Sequence, residues 1–95
     1  MPAFLVATVT VTDPQAFAAY RTANAGLSAK HGGELILADN VVEVLEGDSV
    51  VGERVVVIRF ADADAARGYI KSADYQAAKA LRVGGAKVNM RIVAT

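Results

Sequence analysis

The stretch Ala3-Phe4-Leu5-Val6-Ala7-Thr8-Val9-Thr10-Val11, followed at once by Thr12-Asp13-Pro14, decides the fold. β-branched residues dominate it, and its period of two predicts a strand over Ala3 to Val11. Leu5, Ala7, Val9 and Val11 share one face; Phe4, Val6, Thr8 and Thr10 share the other. Neither face carries a charge, which suits a sheet covered on both sides. Asp13-Pro14 then starts a helix, the carboxylate capping free N–H groups and the proline occupying the first turn. Phe17, Tyr20, Asn24, Leu27 and His31 follow at helical spacing, so one helix is expected to run to Gly32-Gly33, a fitting left-handed stop.

Working outward, Glu34 to Ala38 and Val41 to Glu46 read as two extended pieces around Asp39-Asn40, with a polar loop over Gly47 to Glu53. Arg54 to Phe60 is the strongest remaining strand, with Val56, Ile58 and Phe60 opposite Val55, Val57 and Arg59. Asp62 caps a second helix with Ala66, Tyr69 and Ile70 inward, and Ser72 caps a third over Ala73 to Arg82 carrying Tyr75, Ala78 and Leu81. Gly84-Gly85 turns the chain into a last strand, Lys87 to Ala94. The order strand, helix, strand, strand, helix, strand predicts one α+β domain over residues 1–95 of ferredoxin-like βαββαβ topology, a four-stranded antiparallel sheet with helices on one face.

Composition narrows the function classes. The chain of 95 residues is 54% hydrophobic, with a mean hydropathy of +0.33, high for a core this small. The other sheet face, with Phe4, Val6, Thr8, Val55, Val57, Arg59 and Arg91, predicts sheet-to-sheet pairing of two copies, burying on the order of 2,000 Å² as obligate interfaces do. Ten basic residues balance ten acidic ones without a basic run, which argues against nucleic acid. The absence of cysteine removes disulfides, thiolate metal sites and cysteine nucleophiles, and fits a cytoplasmic protein. No apolar stretch approaches the roughly 20 residues of a membrane span, and Met1-Pro2-Ala3-Phe4 lacks a signal peptide's basic start.

Val9 to Pro14, Phe17-Ala18-Ala19-Tyr20, His31-Gly32-Gly33, Val42 to Gly47, Val55 to Phe60 and Ser72-Ala73-Asp74-Tyr75-Gln76 together resemble the bacterial family called domain of unknown function 1330. That family is similar to the dimeric α/β-barrel proteins, which implies a homodimer with two four-stranded sheets face to face. Relatives in that superfamily include cofactor-independent monooxygenases, isomerases, haem-degrading enzymes and ligand-sensing domains. Arg59 stands where an acidic residue is common in the family, Tyr69-Ile70 where Trp-Tyr is common, and Ala73 where proline is common. Asp48-Ser49 lacks the frequent aromatic.

His31 is the only histidine, and imidazole exchanges protons near neutrality. It is a candidate general base, or an axial ligand if haem binds, against a helix-end role on carbonyls or the helix dipole. Tyr20, the second catalytic candidate, precedes it by eleven residues, roughly 16 Å on one helix, too far for a direct pair. Tyr69 and Tyr75 are candidate ligand contacts, against plain core packing. Arg59 and Arg91, if they share the outer sheet face, form either an interface ion pair with Glu43 or Glu46 or an anion clamp for a carboxylate-bearing ligand. No metal site is expected, since the lone histidine has no second nitrogen or thiolate ligand beside it, and no cofactor is expected. The expected function is a homodimer binding a small hydrophobic or carboxylate-bearing molecule, oxygenase-like or isomerase-like without a cofactor. The alternatives are a non-catalytic dimerisation or ligand-sensing module and, more weakly, haem binding through His31.

Overall fold

The computed structural model describes Met1 to Thr95. The elements run β1 (Ala3–Val11), α1 (Pro14–Asn24), α2 (Leu27–Lys30), β2 (Glu34–Asn40), β3 (Arg54–Phe60), α3 (Ala63–Lys71), α4 (Ala73–Ala80) and β4 (Ala86–Ala94). The strands form one antiparallel sheet in the order β2-β3-β1-β4, which is the ferredoxin-like arrangement. At 31 × 30 × 15 Å the molecule is two layers thick, one sheet and one layer of helices.

Local chemistry explains the boundaries. Asp13 accepts from the Gln15 amide at 3.0 Å and starts α1 with Pro14 in its first turn. Asp62 does the same for α3, accepting from the Ala65 amide at 2.8 Å. Ser72 ends α3 and starts α4, its hydroxyl accepting from the Tyr75 amide at 3.3 Å. The alternation in β1 and β3 lands as expected: Ala3, Leu5, Ala7, Val9, Ile58 and Phe60 are buried under the helices. With Ala66, Tyr69 and Tyr75 they supply most of the core.

Four expectations are corrected. The helix expected to run from Pro14 to Gly32 breaks at Ala25-Gly26, where Gly26 adopts φ +77°, left-handed backbone that glycine alone takes freely. The second extended piece, Val41 to Glu46, is not a strand. At the neck of a loop the Gly52 amide donates to Val41 O and the Val41 amide to Glu53 O, and beyond it Val42 and Leu45 are 87% and 88% exposed, with no strand left to pair. The last helix stops at Ala80, so Leu81 leaves the buried stripe and is 49% exposed. The last strand begins one residue earlier than expected, at Ala86. β2 also carries a bulge at Ile36, shifting its register on β3 between Leu35 and Leu37.

On the far side of the sheet, Phe4, Val6, Thr8, Val55 and Val57 are half-buried by one another, and Arg59 and Arg91 are exposed. No helix covers this face. No helix in the chain is long and apolar enough to cross a membrane.

Candidate functional site

A cavity of about 270 Å³ lies between the helices and the inner face of the sheet. Leu5, Ala7, Val9, Val56, Ile58, Val88 and Met90 form its floor, and Phe17 closes it from α1. All three tyrosines of the chain line it: Tyr20 from α1, Tyr69 from α3 and Tyr75 from α4. Its other polar lining is Arg21, Asn24, Ser28 and Arg54.

The phenols form one cluster. Tyr69 and Tyr75 have ring centroids 5.0 Å apart, and Tyr20 meets Tyr75 edge-on at 6.4 Å. Tyr69 donates to Asn24 Oδ1 at 2.9 Å. Arg82 donates to the Tyr75 hydroxyl at 2.9 Å, and its guanidinium lies 4.8 Å over the Tyr20 ring, within cation–π range. The Tyr20 and Tyr75 oxygens are 3.4 Å apart, long for a hydroxyl pair, so this is the loosest link. Burial pushes Tyr69 up to about 12, and burial together with the Tyr75 hydroxyl raises Tyr20 above its ordinary 10.0. Both are therefore neutral hydrogen-bond donors at physiological pH, unsuited to act as bases.

These shifts carry a stability consequence. The folded state keeps the Tyr69 proton to about 12, whereas an ordinary phenol releases it near 10.0. The stabilising effect is thus complete below pH 10 and is lost as pH rises toward 12, with Tyr20 acting in the same sense. In an alkaline titration, tyrosinate absorbance from these two residues is expected to develop together with loss of helical circular dichroism. Their ionisation near pH 10 in a still-folded protein would contradict the burial described here.

His31 does not line the cavity. It caps α2, with Nε2 3.2 and 3.3 Å from the two Asp74 carboxylate oxygens and its ring 5.7 Å from that of Tyr69. Its imidazole therefore bonds a side chain, and only its backbone amide reaches the helix carbonyls of Leu27 and Ser28. Lys30 reaches the same carboxylate at 3.2 Å. The Ser72 hydroxyl, Lys30, His31 and the Tyr75 amide hold the Asp74 carboxyl well below the usual carboxylate range. Asp74 thereby ties α2 to the start of α4 behind Tyr69 and Tyr75. Tyr20 and His31, the two catalytic candidates, sit on different helices and make no contact with each other; Tyr75 and Asp74 lie between them.

Arg59 and Arg91 share the outer sheet face, as expected, but do not converge. β1 separates them, with Arg59 opposite Phe4 and Arg91 opposite Val6, two inter-strand spacings across and two residues along, about 12 Å between their backbones. Neither pairs with Glu43 or Glu46, which lie in the exposed loop after β2; Arg91 only approaches Thr8 Oγ1 at 3.4 Å. Within one chain neither arginine has an ion-pair partner. Asn24, Asp74 and Arg82 were not singled out as site residues from sequence. The available signal was spacing: Asn24 lies one helical turn after Tyr20, and Arg82 two turns after Tyr75. No cluster of three or more His, Asp or Glu side chains is placed to hold a metal ion.

With this geometry in hand, comparison with known proteins identifies the relatives. The family model for domain of unknown function DUF1330 matches residues 2–95. The chain belongs to this family. Among curated proteins none matches. This DUF1330 chain superposes on a protein of unknown function from Rhodopseudomonas palustris with a TM-score of 0.76 at 18% identity, covering 99% of this chain and 82% of that one. It is also similar to SnoaB, a cofactor-independent oxygenase from Streptomyces nogalater, with a TM-score of 0.69 at 15% identity over 99% and 92% of the two chains. An ethyl tert-butyl ether D (EthD) family protein from Bacillus halodurans gives 0.69 at 18% identity over 100% and 99%. At such identities the likeness establishes the fold that this DUF1330 protein shares with them, and no more.

Proposed function

We propose that this DUF1330 protein binds a small, largely apolar molecule in the cavity between its helices and sheet, and that it does so as a homodimer. The observation that carries the reading is the convergence of Tyr20, Tyr69 and Tyr75 from three helices on one cavity with a mainly apolar wall. An apolar pocket with a few convergent donors is the usual form of a ligand site. At about 270 Å³ it lies near the lower end of such sites, which run from roughly 300 Å³ upward, so a ligand of one or two rings is the right size.

The chemistry of the wall limits what could happen there. The Tyr20 and Tyr75 phenols and the Arg21 and Arg54 guanidinium groups can donate to a carbonyl or enolate oxygen and stabilise its charge, whereas the Tyr69 proton is already given to Asn24. No carboxylate or imidazole lines the cavity to remove a proton. An oxygenase-like or isomerase-like reaction, as SnoaB's description brings to mind, would therefore suit a substrate acidic enough to reach its enolate unaided. Haem binding through His31 is the weaker reading, because Asp74 already occupies the ring nitrogen Nε2.

The chain has no tryptophan, so tyrosine emission reports on the cavity directly. Titration with naphthalenemethanol, an uncharged bicyclic aromatic, is expected to change that emission saturably. It should also stabilise the fold, by about 2.7 kcal/mol at a hundredfold excess over Kd. A panel of such aromatics giving neither effect would remove the binding reading. Support for the dimer is the uncovered apolar sheet face, together with the burial of only 12 residues in 95. Equilibrium sedimentation is expected to return twice the chain mass, and a monomer at micromolar concentration would exclude it.

A further inference from the structure

Leu5, Tyr75, Val88 and Met90 line the cavity and also a second depression of about 440 Å³ on the side of α3, α4 and β4. The two spaces thus share a wall, and the Tyr75 side chain belongs to both. The character of the second space is different. Five basic residues line it, Arg67, Lys71, Lys79, Arg82 and Arg91, and no carboxylate does, although the Arg91 guanidinium turns to Thr8 Oγ1 on the outer sheet face. Half of the ten basic residues of a chain with zero net charge are gathered here. Only one of the five, Arg67, has an ion-pair partner, Asp64. The Arg82 side chain is half-buried, gives one hydrogen bond to the Tyr75 hydroxyl, and forms no other within the chain.

We propose that this groove holds the anionic group of an amphipathic aromatic ligand whose rings occupy the cavity, with Arg82 as the main anion contact and Lys79 and Lys71 in support. The inference rests on the binding reading above and names its ligand class, an aromatic acid. Charge complementarity selects this occupant: unpaired cations around an apolar floor match a molecule with an apolar body and one negative end. Reach is short, because a carboxylate beside the Tyr75 hydroxyl would stand one hydrogen bond from the Arg82 guanidinium, 2.9 Å from that oxygen. Arg82 can accept the exchange at little cost, since its planar fork keeps further donors free for a carboxylate.

The experiment compares two probes of one shape, naphthoate and naphthalenemethanol, by calorimetry on the whole protein. Naphthoate is expected to bind about tenfold more tightly, the scale of a charge-assisted hydrogen bond, and to lose that advantage as salt is raised. Arg82→Gln should remove most of the advantage, read as the ratio of the two affinities within the variant, so that any loosening of Tyr20 and Tyr75 affects both probes alike. Lys79→Gln, at an exposed position that cannot disturb the core, should remove part of it and keeps the test decisive if Arg82→Gln proves unstable. Equal affinity for both probes overturns the aromatic-acid assignment and leaves the cavity reading standing. Binding of neither probe overturns both. A naphthoate preference that survives both substitutions puts the anion elsewhere and overturns the groove.

Discussion

Tyr69→Ala is expected to destabilise the protein by about 4 kcal/mol, at the cost typical of deleting a buried aromatic ring. Tyr69 is 1% exposed. Its ring stacks on Phe60 at 5.7 Å and also meets Tyr75 at 5.0 Å and His31 at 5.7 Å. Removing it opens a void where α3, α4 and the sheet meet. Tyr69→Phe keeps the ring and loses only the hydroxyl bond to Asn24, so its cost should be about 1 kcal/mol. A domain of this size has about 5–15 kcal/mol in total, which places the alanine variant close to unfolding at ambient temperature. Urea denaturation at one fixed protein concentration reads both values. Equal costs for the two substitutions would mean that the ring contributes no packing, contrary to the contacts described.

The second large effect falls on a residue without a side chain. Gly33→Ala should cost about 2 kcal/mol through overpacking. A Cβ there would stand 2.9 Å from Ile58 Cγ2, from Phe60 Cζ and from the Ser28 carbonyl oxygen. The two core side chains could yield slightly, but Ser28 O belongs to the backbone and accepts the Gly33 amide at 2.7 Å and the His31 amide at 3.1 Å. The last turn of α2 cannot retreat without losing those bonds. Gly68→Ala is the opposite case, since nothing lies within 4 Å of its new Cβ on the exposed side of α3. It should stabilise the fold by about 0.5–1 kcal/mol. Thermal melts that rank the two variants the other way would refute the close approach at Gly33.

Much of this architecture could be read from local chemistry. The period of two in Ala3 to Val11 and Arg54 to Phe60 located the buried sheet face, and Asp13, Asp62 and Ser72 located three helix starts. The break at Gly26 escaped because Leu27 and His31 continue the apolar spacing of α1, and a lone glycine in a helix carries only about 1 kcal/mol of penalty. Nothing local announces that the chain must change direction there. Val41 to Glu46 has the residues of a strand but no partner beyond the Asn40–Arg54 pair, and pairing is a tertiary property. The candidate site divides the same way. Tyr20, Tyr69 and Tyr75 were visible as inward residues of separate helices, whereas their meeting depends on how α1, α3 and α4 pack. His31 drew notice as the lone histidine, yet its partner Asp74 lies 43 positions away. Arg82, just past the end of α4, turns inward over Tyr20.

The central position of β1 also bears on how the chain reaches its native state. β1 is the first strand in the sequence, and its two neighbours in the sheet, β3 and β4, begin only at Arg54 and Ala86. Both pairings close long loops, so the loop entropy is spent before the sheet gains its contacts, which favours slow folding for a domain of this size. During synthesis, Ala3 to Val11 would leave the ribosome with neither neighbour made. This apolar segment would wait unpaired until β3 emerged, and with one edge open until β4 followed, the interval in which binding by a chaperone would count most.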